Sequence, residues 1–303
     1  MNKTNSTIFA IKRYALHDGP NIRTTIFFKG CPLACHWCHN PEGIDFKIKI
    51  LTLTGQCVGC GECVDTCREN ALELTAQGIH RETEKCTFCR TCVETCPALA
   101  HESTGWQTTT EQLLTEIKKD LPFYDQSGGG VTISGGEPLC QPESLLALLQ
   151  ECGTLGIDRT VDTSGFAPTD ILMRVAEHTE LFLFDLKHMD NKQHLQYTGV
   201  ANDLILRNLQ TLSGSGQPVR VRLPLIPGVN DDEKNVRATG SFIASCKGVQ
   251  GIDVLPYHPS ATSKYKKLGL EYKGKKFTAP SQEQVSRTVQ LLMKYISDVG
   301  IGG

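Results

Sequence analysis

The chain has 303 residues, 39% of them hydrophobic, enough to bury one large core together with a small appended module. Its 31 basic residues nearly balance 33 acidic ones for a net charge of −2, so no chain-wide attraction to nucleic acid or to an anionic membrane is present. The N-terminal stretch lacks the apolar run of a signal peptide, and no window approaches the roughly 20 apolar residues of a membrane span, so a cytoplasmic protein is expected.

Short β-rich apolar runs alternate with longer amphipathic segments, the pattern of a parallel sheet with crossover helices. In chain order the pattern predicts strand Thr24–Lys29, an interruption over residues 48–104, helix Thr110–Lys119, strand Val131–Ser134, helix Pro142–Leu155, strand Thr160–Thr163 and helix Pro168–His178. Strand Leu181–Leu186, helix Asp203–Ser213, strand Val219–Leu223, helix Asp231–Cys246, strand Ile252–Pro256 and helix Ser281–Val299 follow. The strands are apolar at nearly every position, as when helices cover both faces of a sheet. Six such units imply an α/β fold: a partial (β/α)6, TIM-like barrel formed by residues 1–47 and 105–303, with residues 48–104 as an inserted domain. Lys264–Lys276 reads as an exposed loop after the last strand.

Fourteen cysteines in a chain of this size, most in tight spacings, point to metal ligation rather than a disulfide framework. Cys140, Cys152 and Cys246 stand apart and read as ordinary buried thiols. Directly after the first strand come Cys31, Cys35 and Cys38, in a loop too tight for regular structure. A zinc loop would ordinarily supply a fourth ligand, and none follows at suitable spacing. Three thiolates on a 4Fe–4S cluster leave one iron open, free to take the amino and carboxylate groups of S-adenosylmethionine. Electron transfer from the reduced cluster would then release a 5′-deoxyadenosyl radical.

The C-x3-C-x2-C run with Trp37 before its last cysteine resembles the signature of the radical SAM superfamily. The preceding His17-Asp18-Gly19-Pro20-Asn21-Ile22-Arg23 segment resembles, more narrowly, the glycyl-radical-enzyme activating enzymes, and the likeness covers nearly the whole chain. Ser134-Gly135-Gly136-Glu137-Pro138 resembles the superfamily's GGEP motif, which implies that backbone carbonyls and Glu137 meet the methionine amino group. Polar groups also end three further strands: Asp162 with Ser164, Asp185-Leu186-Lys187, and Tyr257-His258. Taken singly such residues are more often helix caps or salt bridges; their convergence on one sheet edge is what raises them. The resemblance puts Asp162, Asp185 and Lys187 around the sulfonium, with a monovalent cation at the aspartate end. It also sets His258 against the adenosyl group and Arg222 on the methionine carboxylate, a pairing that a guanidinium fork suits. Trp37, Cys38, His39 and Leu186 complete the expected cofactor contacts, with Cys31, Cys35, Cys38 and Lys187 as the catalytic set.

Within the insertion, Cys57, Cys60, Cys63 and Cys67 and then Cys86, Cys89, Cys92 and Cys96 repeat the bacterial ferredoxin run, although Arg68 stands where the first copy would have proline. The fourth cysteine of each run normally serves the other cluster, so one set is Cys57, Cys60, Cys63 and Cys96 and the other Cys86, Cys89, Cys92 and Cys67. Three 4Fe–4S clusters are therefore expected, the inserted pair forming an electron relay whose direction the sequence leaves open.

The activity implied is abstraction of a hydrogen atom from a glycine of a partner glycyl radical enzyme. An external electron donor such as flavodoxin or ferredoxin, and a monomeric state, go with it. Two rivals are a radical SAM maturase that modifies a peptide or metabolite and a ferredoxin-type carrier fused to an inert barrel. Maturases usually carry their extra cysteines after the barrel, and the open iron site argues against a plain carrier. No residue selects among possible partners such as diol dehydratases or choline lyase.

Overall fold

The structure, a computed structural model, describes residues 4–302. Its strands are β1 (Asn5–Ala15), β2 (Arg23–Phe28), β3 (Ile50–Thr52), β4 (Leu72–Thr75), β5 (Gly78–Arg81), β6 (His101–Ser103), β7 (Trp106–Thr109), β8 (Gly130–Gly135), β9 (Asp158–Thr163), β10 (Leu181–Asp185), β11 (Val219–Leu225), β12 (Val249–Pro256) and β13 (Val299–Ile301). Nine of them form one sheet in the order β13-β12-β11-β10-β9-β8-β2-β1-β7. From β2 to β13 every neighbouring pair is parallel, and β1 and β7 add an antiparallel edge.

All six expected strands are present, and they are covered as their composition requires: Ile26, Ile133, Val161, Phe184, Val221 and Val254 are fully buried. Each such side chain contributes about 1.5–3 kcal/mol by leaving water. The expected helices end within a few residues of their predicted bounds, except the last. Thr109 and Ser281 cap theirs with reciprocal bonds to Gln112 and Gln284.

Three strands of this sheet were not expected. β1 and β7 pair antiparallel at the edge, outside the βα repeat, and β1 alternates buried and exposed positions only in part. β13 begins at Val299, the residue read as the end of the last helix, and that helix stops at Leu292. Arg220 on β11 binds Asp298 at 2.7 Å and the Asp298 carbonyl accepts from Ile252 at 3.0 Å, so the chain is captured by the sheet edge.

The segment Lys264–Lys276 is not an exposed loop. It forms a helix, Thr262–Lys267, and a 3-10 turn, Lys273–Lys276. Tyr265 and Tyr272 stack at 4.4 Å and are buried, and the Tyr272 and Tyr257 hydroxyls meet at 2.8 Å. The lysines keep their charges outside while their neighbours bury aromatic surface, so composition alone misreads the segment. Of the lone thiols, Cys152 and Cys246 are buried as expected, whereas Cys140 is only partly covered.

The cysteine-rich segment hangs from the β7 edge. β3 pairs antiparallel with β6 at its base, β4 and β5 form a hairpin, and Cys63, Leu72, Ile79 and Cys92 make a small separate core.

Candidate active site and cysteine centres

β2 delivers the chain to Gly30 at φ +100, and the Phe46 ring lies where a side chain on Gly30 would be. The loop that follows is held from both sides. Gly30 and Cys31 donate to the Gly43 and Ile44 carbonyls at 2.8 and 3.0 Å, while Ala34 and His36 donate to the Thr198 and Tyr197 carbonyls at 2.7 and 2.9 Å. Those last carbonyls end the helix Asn191–Thr198, where unpaired acceptors are available.

Cys31, Cys35 and Cys38 line a cavity of about 570 Å³ at the C-terminal ends of the strands. Burial pushes Cys35 up to about 12, although Lys187 pulls the other way, and burial raises Cys31 and Cys38 as well. Such thiols become thiolates by binding metal. Among the described residues no three His, Cys, Asp or Glu side chains converge closely enough for a single ion. The thiols ring open space instead, which fits a cluster of several irons better than one tetrahedral zinc.

The next wall is the end of β8. A Cβ on Gly135, at φ +127, would sit 2.1 Å from the Phe28 carbonyl oxygen, and one on Gly136 would sit 2.3 Å from that of Gly30. Both glycines are thus required by the close approach of the end of β2 and the start of the cysteine loop, where the Gly136 and Glu137 amides donate to the Phe28 and Gly30 carbonyls at 2.7 and 2.8 Å. Glu137 departs from expectation. Its carboxylate is fully buried behind the turn, accepting from Leu139 N at 3.2 Å, Thr163 Oγ1 at 2.6 Å, Ser164 N at 2.9 Å and Ser164 Oγ. Burial raises its pKa against those bonds, and the cavity is lined by Ser134, Gly135 and Gly136 rather than by Glu137.

Three adjacent strands carry the charges. Register places Asp162 beside Leu183 and Asp185 beside Arg222, so all three polar side chains face the barrel interior. Ser134 donates to Asp162 at 2.7 Å, Arg222 Nη1 lies 3.1 Å from Asp162, and Lys187 binds Asp185 at 2.6 Å. Burial pushes Asp162 up, Arg222 opposes it, and Asp185 adds to it. Burial works against the charge on Lys187, but Asp185 and Cys35 outweigh it and hold the ammonium above its ordinary pKa. Arg222 keeps a buried Nε with no partner among the described residues, a donor of the kind a carboxylate ligand would satisfy.

At the mouth, His39 donates from Nε2 to the His258 carbonyl at 2.9 Å and stacks on the rings of His258 and Tyr257 at 4.7 and 5.7 Å. Trp37 lines the cavity and packs against Tyr197 and Phe277. Ser164 also lines it, but the Leu186 side chain does not: it belongs to the main core, and only its amide is engaged, by the Arg222 carbonyl at 2.9 Å. Sequence reasoning missed His17, Asp18 and Asn40 as cavity residues. The first two lie in the segment already singled out before the loop. The donor set as a whole fits a 4Fe–4S cluster with an amino-acid end and a flat ring system beside it.

In the insertion, a small cavity is lined by Cys67, Cys86, Cys89 and Cys92, which groups the fourth thiol of the first run with three of the second. Arg81 donates to Cys86 and Cys92 at 3.4 Å each, and Ala71 and Ala100 donate amides to Cys67 and Cys96 at 3.3 Å. Burial raises Cys63, and the Cys96 thiol adds to the rise.

A parallel partial barrel with a three-thiol loop at the C-terminal edge of its first parallel strand defines a radical SAM protein. Residues 79–238 match the Radical SAM superfamily, beginning beyond the three-cysteine loop, and residues 56–100 match a 4Fe-4S dicluster domain. A choline trimethylamine-lyase activating enzyme of Oleidesulfovibrio alaskensis is 41% identical over 307 residues, spanning 99% of each chain. A trans-4-hydroxy-L-proline dehydratase activating enzyme of Clostridioides difficile is 39% identical over 302 residues, 99% of this chain and all of that one. A solved domain of a pyruvate-formate lyase-activating enzyme from Bacteroides vulgatus superposes at TM-score 0.50 with 38% identity, covering 58% of this chain and 99% of that one. The chain belongs to the glycyl-radical-enzyme activating enzymes of the radical SAM superfamily, which use S-adenosylmethionine to generate a glycyl radical on a partner protein. No helix among the described residues is long and apolar enough to cross a membrane.

Proposed function

We propose that the chain holds three 4Fe–4S clusters, acts as a monomer on a separate glycyl radical enzyme, and draws its electrons from an external carrier such as flavodoxin or ferredoxin. The observation that carries this reading is the convergence of Cys31, Cys35 and Cys38 with Asp162, Asp185, Lys187 and Arg222 on one cavity. Bound there, the cluster and S-adenosylmethionine supply the hydrogen-abstracting chemistry.

The protein's own groups bind and orient. Arg222 holds the methionine carboxylate through its free donors, and the Ser134–Gly136 backbone faces the amino group. Lys187, fixed by Asp185, sits beside the sulfonium, and the Asp162–Asp185 pair offers the oxygen ligands a monovalent cation takes. His39 and His258, stacked on each other, would offer the adenine a flat ring surface. Glu137 acts at one remove, by locking the glycine turn to Thr163 and Ser164. Trp37, Tyr197 and Phe277 wall the site against water. In the insertion, Cys57, Cys60, Cys63 and Cys96 hold one cluster and Cys67, Cys86, Cys89 and Cys92 the other, within a domain spanning residues 48–104.

The test is anaerobic reconstitution, reduction, and addition of S-adenosylmethionine with a candidate glycyl radical enzyme. A glycyl doublet in the electron paramagnetic resonance spectrum, with matching 5′-deoxyadenosine, is expected. No deoxyadenosine from a fully loaded, reduced protein sinks the reading.

A further inference from the structure

The two cysteine runs are copies in which each ligand is displaced by the same step, Cys57 to Cys86 through Cys67 to Cys96, yet two positions inside them differ sharply. In the first copy Gly59 and Gly61 take left-handed turns at φ +74 and +80, and a Cβ at either would meet no atom within 4 Å. In the second copy the same positions are Phe88 and Arg90, held at φ +56 and +68. Left-handed backbone disfavours L side chains, so these two persist only through what they touch.

Arg90 touches the barrel. The Arg90 guanidinium lies 4.6 Å from the centre of the Trp106 ring on β7. Phe88, Cys89 and Arg90 share the lining of a cavity of about 620 Å³ with Thr7, Phe46 and Trp106. Phe46 then carries the contact to the active site, because its ring is the one that lies against Gly30, beside Cys31. The first copy is open to solvent instead: Val58, between its first two cysteines, is 71% exposed.

We propose that Cys67, Cys86, Cys89 and Cys92 are the inner station of a one-electron relay and Cys57, Cys60, Cys63 and Cys96 the outer one. Phe46, Phe88 and Arg90 form the junction between the inner station and the Cys31 loop. The proposal rests on the three-cluster reading above. One electron crosses the junction with no bond made or broken and no proton moved; the external one-electron carrier exchanges it at the outer station. The order is the same for either direction of flow.

The test uses the full chain, reconstituted and reduced, and reads the spin relaxation of the cluster in the Cys31 loop by pulsed electron paramagnetic resonance. A nearby paramagnet speeds that relaxation. The enhancement is expected to survive in the variant carrying Cys57→Ala and Cys60→Ala and to be lost in the variant carrying Cys86→Ala and Cys89→Ala; the reverse pattern overturns the order. Because loss of a ligand can unravel the whole insertion, a second variant keeps every thiol. Phe88→Gly with Arg90→Gly restores the glycines of the first copy. At full iron content, it is expected to lose the early Cys31-loop signal in freeze-quench spectra taken after a limiting pulse of reductant. An unchanged signal overturns the junction. Wild-type protein that takes up only one cluster's iron sinks the three-cluster reading itself, which separates the two failures.

Discussion

Arg222 on β11 reaches over β10 to place Nη1 3.1 Å from Asp162 on β9, while its buried Nε has no partner among the described residues. One arm of the fork is anchored and the other is available. A charge-assisted bond is worth about 1.5–3 kcal/mol. Arg222→Lys keeps a charge beside Asp162 but loses the planar fork. It is expected to weaken S-adenosylmethionine binding about 10- to 100-fold at unchanged iron content, measured by equilibrium binding to the reconstituted protein.

Gly135 and Gly136 are tied to the cysteine loop rather than to the cavity alone. Gly135→Ala would press a Cβ on the Phe28 carbonyl and adopt a left-handed backbone. The combined strain and overpacking are expected to cost about 3 kcal/mol or more, read as a lower denaturant midpoint of the metal-free chain. Equal stability of variant and parent would show that the strands can separate here without loss.

Lys29 is buried beneath the first cysteine loop and donates to the Glu42 carbonyl. Burial lowers its pKa from 10.5 to about 8. The folded protein therefore releases that proton near pH 8 and the unfolded chain near 10.5, so between these values the unfolded state holds more protons and stability rises with pH. Lys29→Met lacks this rise. The difference in denaturant midpoint between parent and variant is expected to move in the parent's favour from pH 7.5 to pH 9.5, and a constant difference would mean that Lys29 does not titrate in this window.

The crossed cysteine sets give a separate expectation. Cys67 shares its cavity with Cys86, Cys89 and Cys92, although it belongs to the first run in sequence. Cys67→Ala is expected to perturb the cluster of the second run and to leave a first-run cluster on Cys57, Cys60, Cys63 and Cys96. Mössbauer spectra of this variant and of Cys96→Ala should show different sites disturbed; identical spectra would point to uncrossed sets.

The six barrel strands, the three-cysteine loop and the duplicated run were legible in the sequence, and the relatives agree with the family they indicated. The misreadings have a common form. Val299 reads as the end of a helix but is claimed by β12 and by the neighbouring Arg220–Asp298 pair. Tyr265 and Tyr272 sit in a lysine-rich segment and are buried only because Tyr257 and the cysteine loop lie beneath them. Glu137 sits in a motif that resembles a ligand contact, yet Thr163 and Ser164 occupy its carboxylate.

Ligand spacing and apolar periodicity are properties of short stretches of chain, so the sequence by itself determined the cofactor chemistry, the βα repeat and the extra pair of cysteine runs. Which way Glu137 turns, what the Lys264–Lys276 strap covers, and which cysteine copy meets the barrel depend on partners far away in sequence. Phe88 and Arg90 stand where the first copy has glycines. Only the Arg90 contact with Trp106 and the cavity that Phe88 shares with Phe46 give that difference a direction, because a strained left-handed turn is retained where its side chains find a surface.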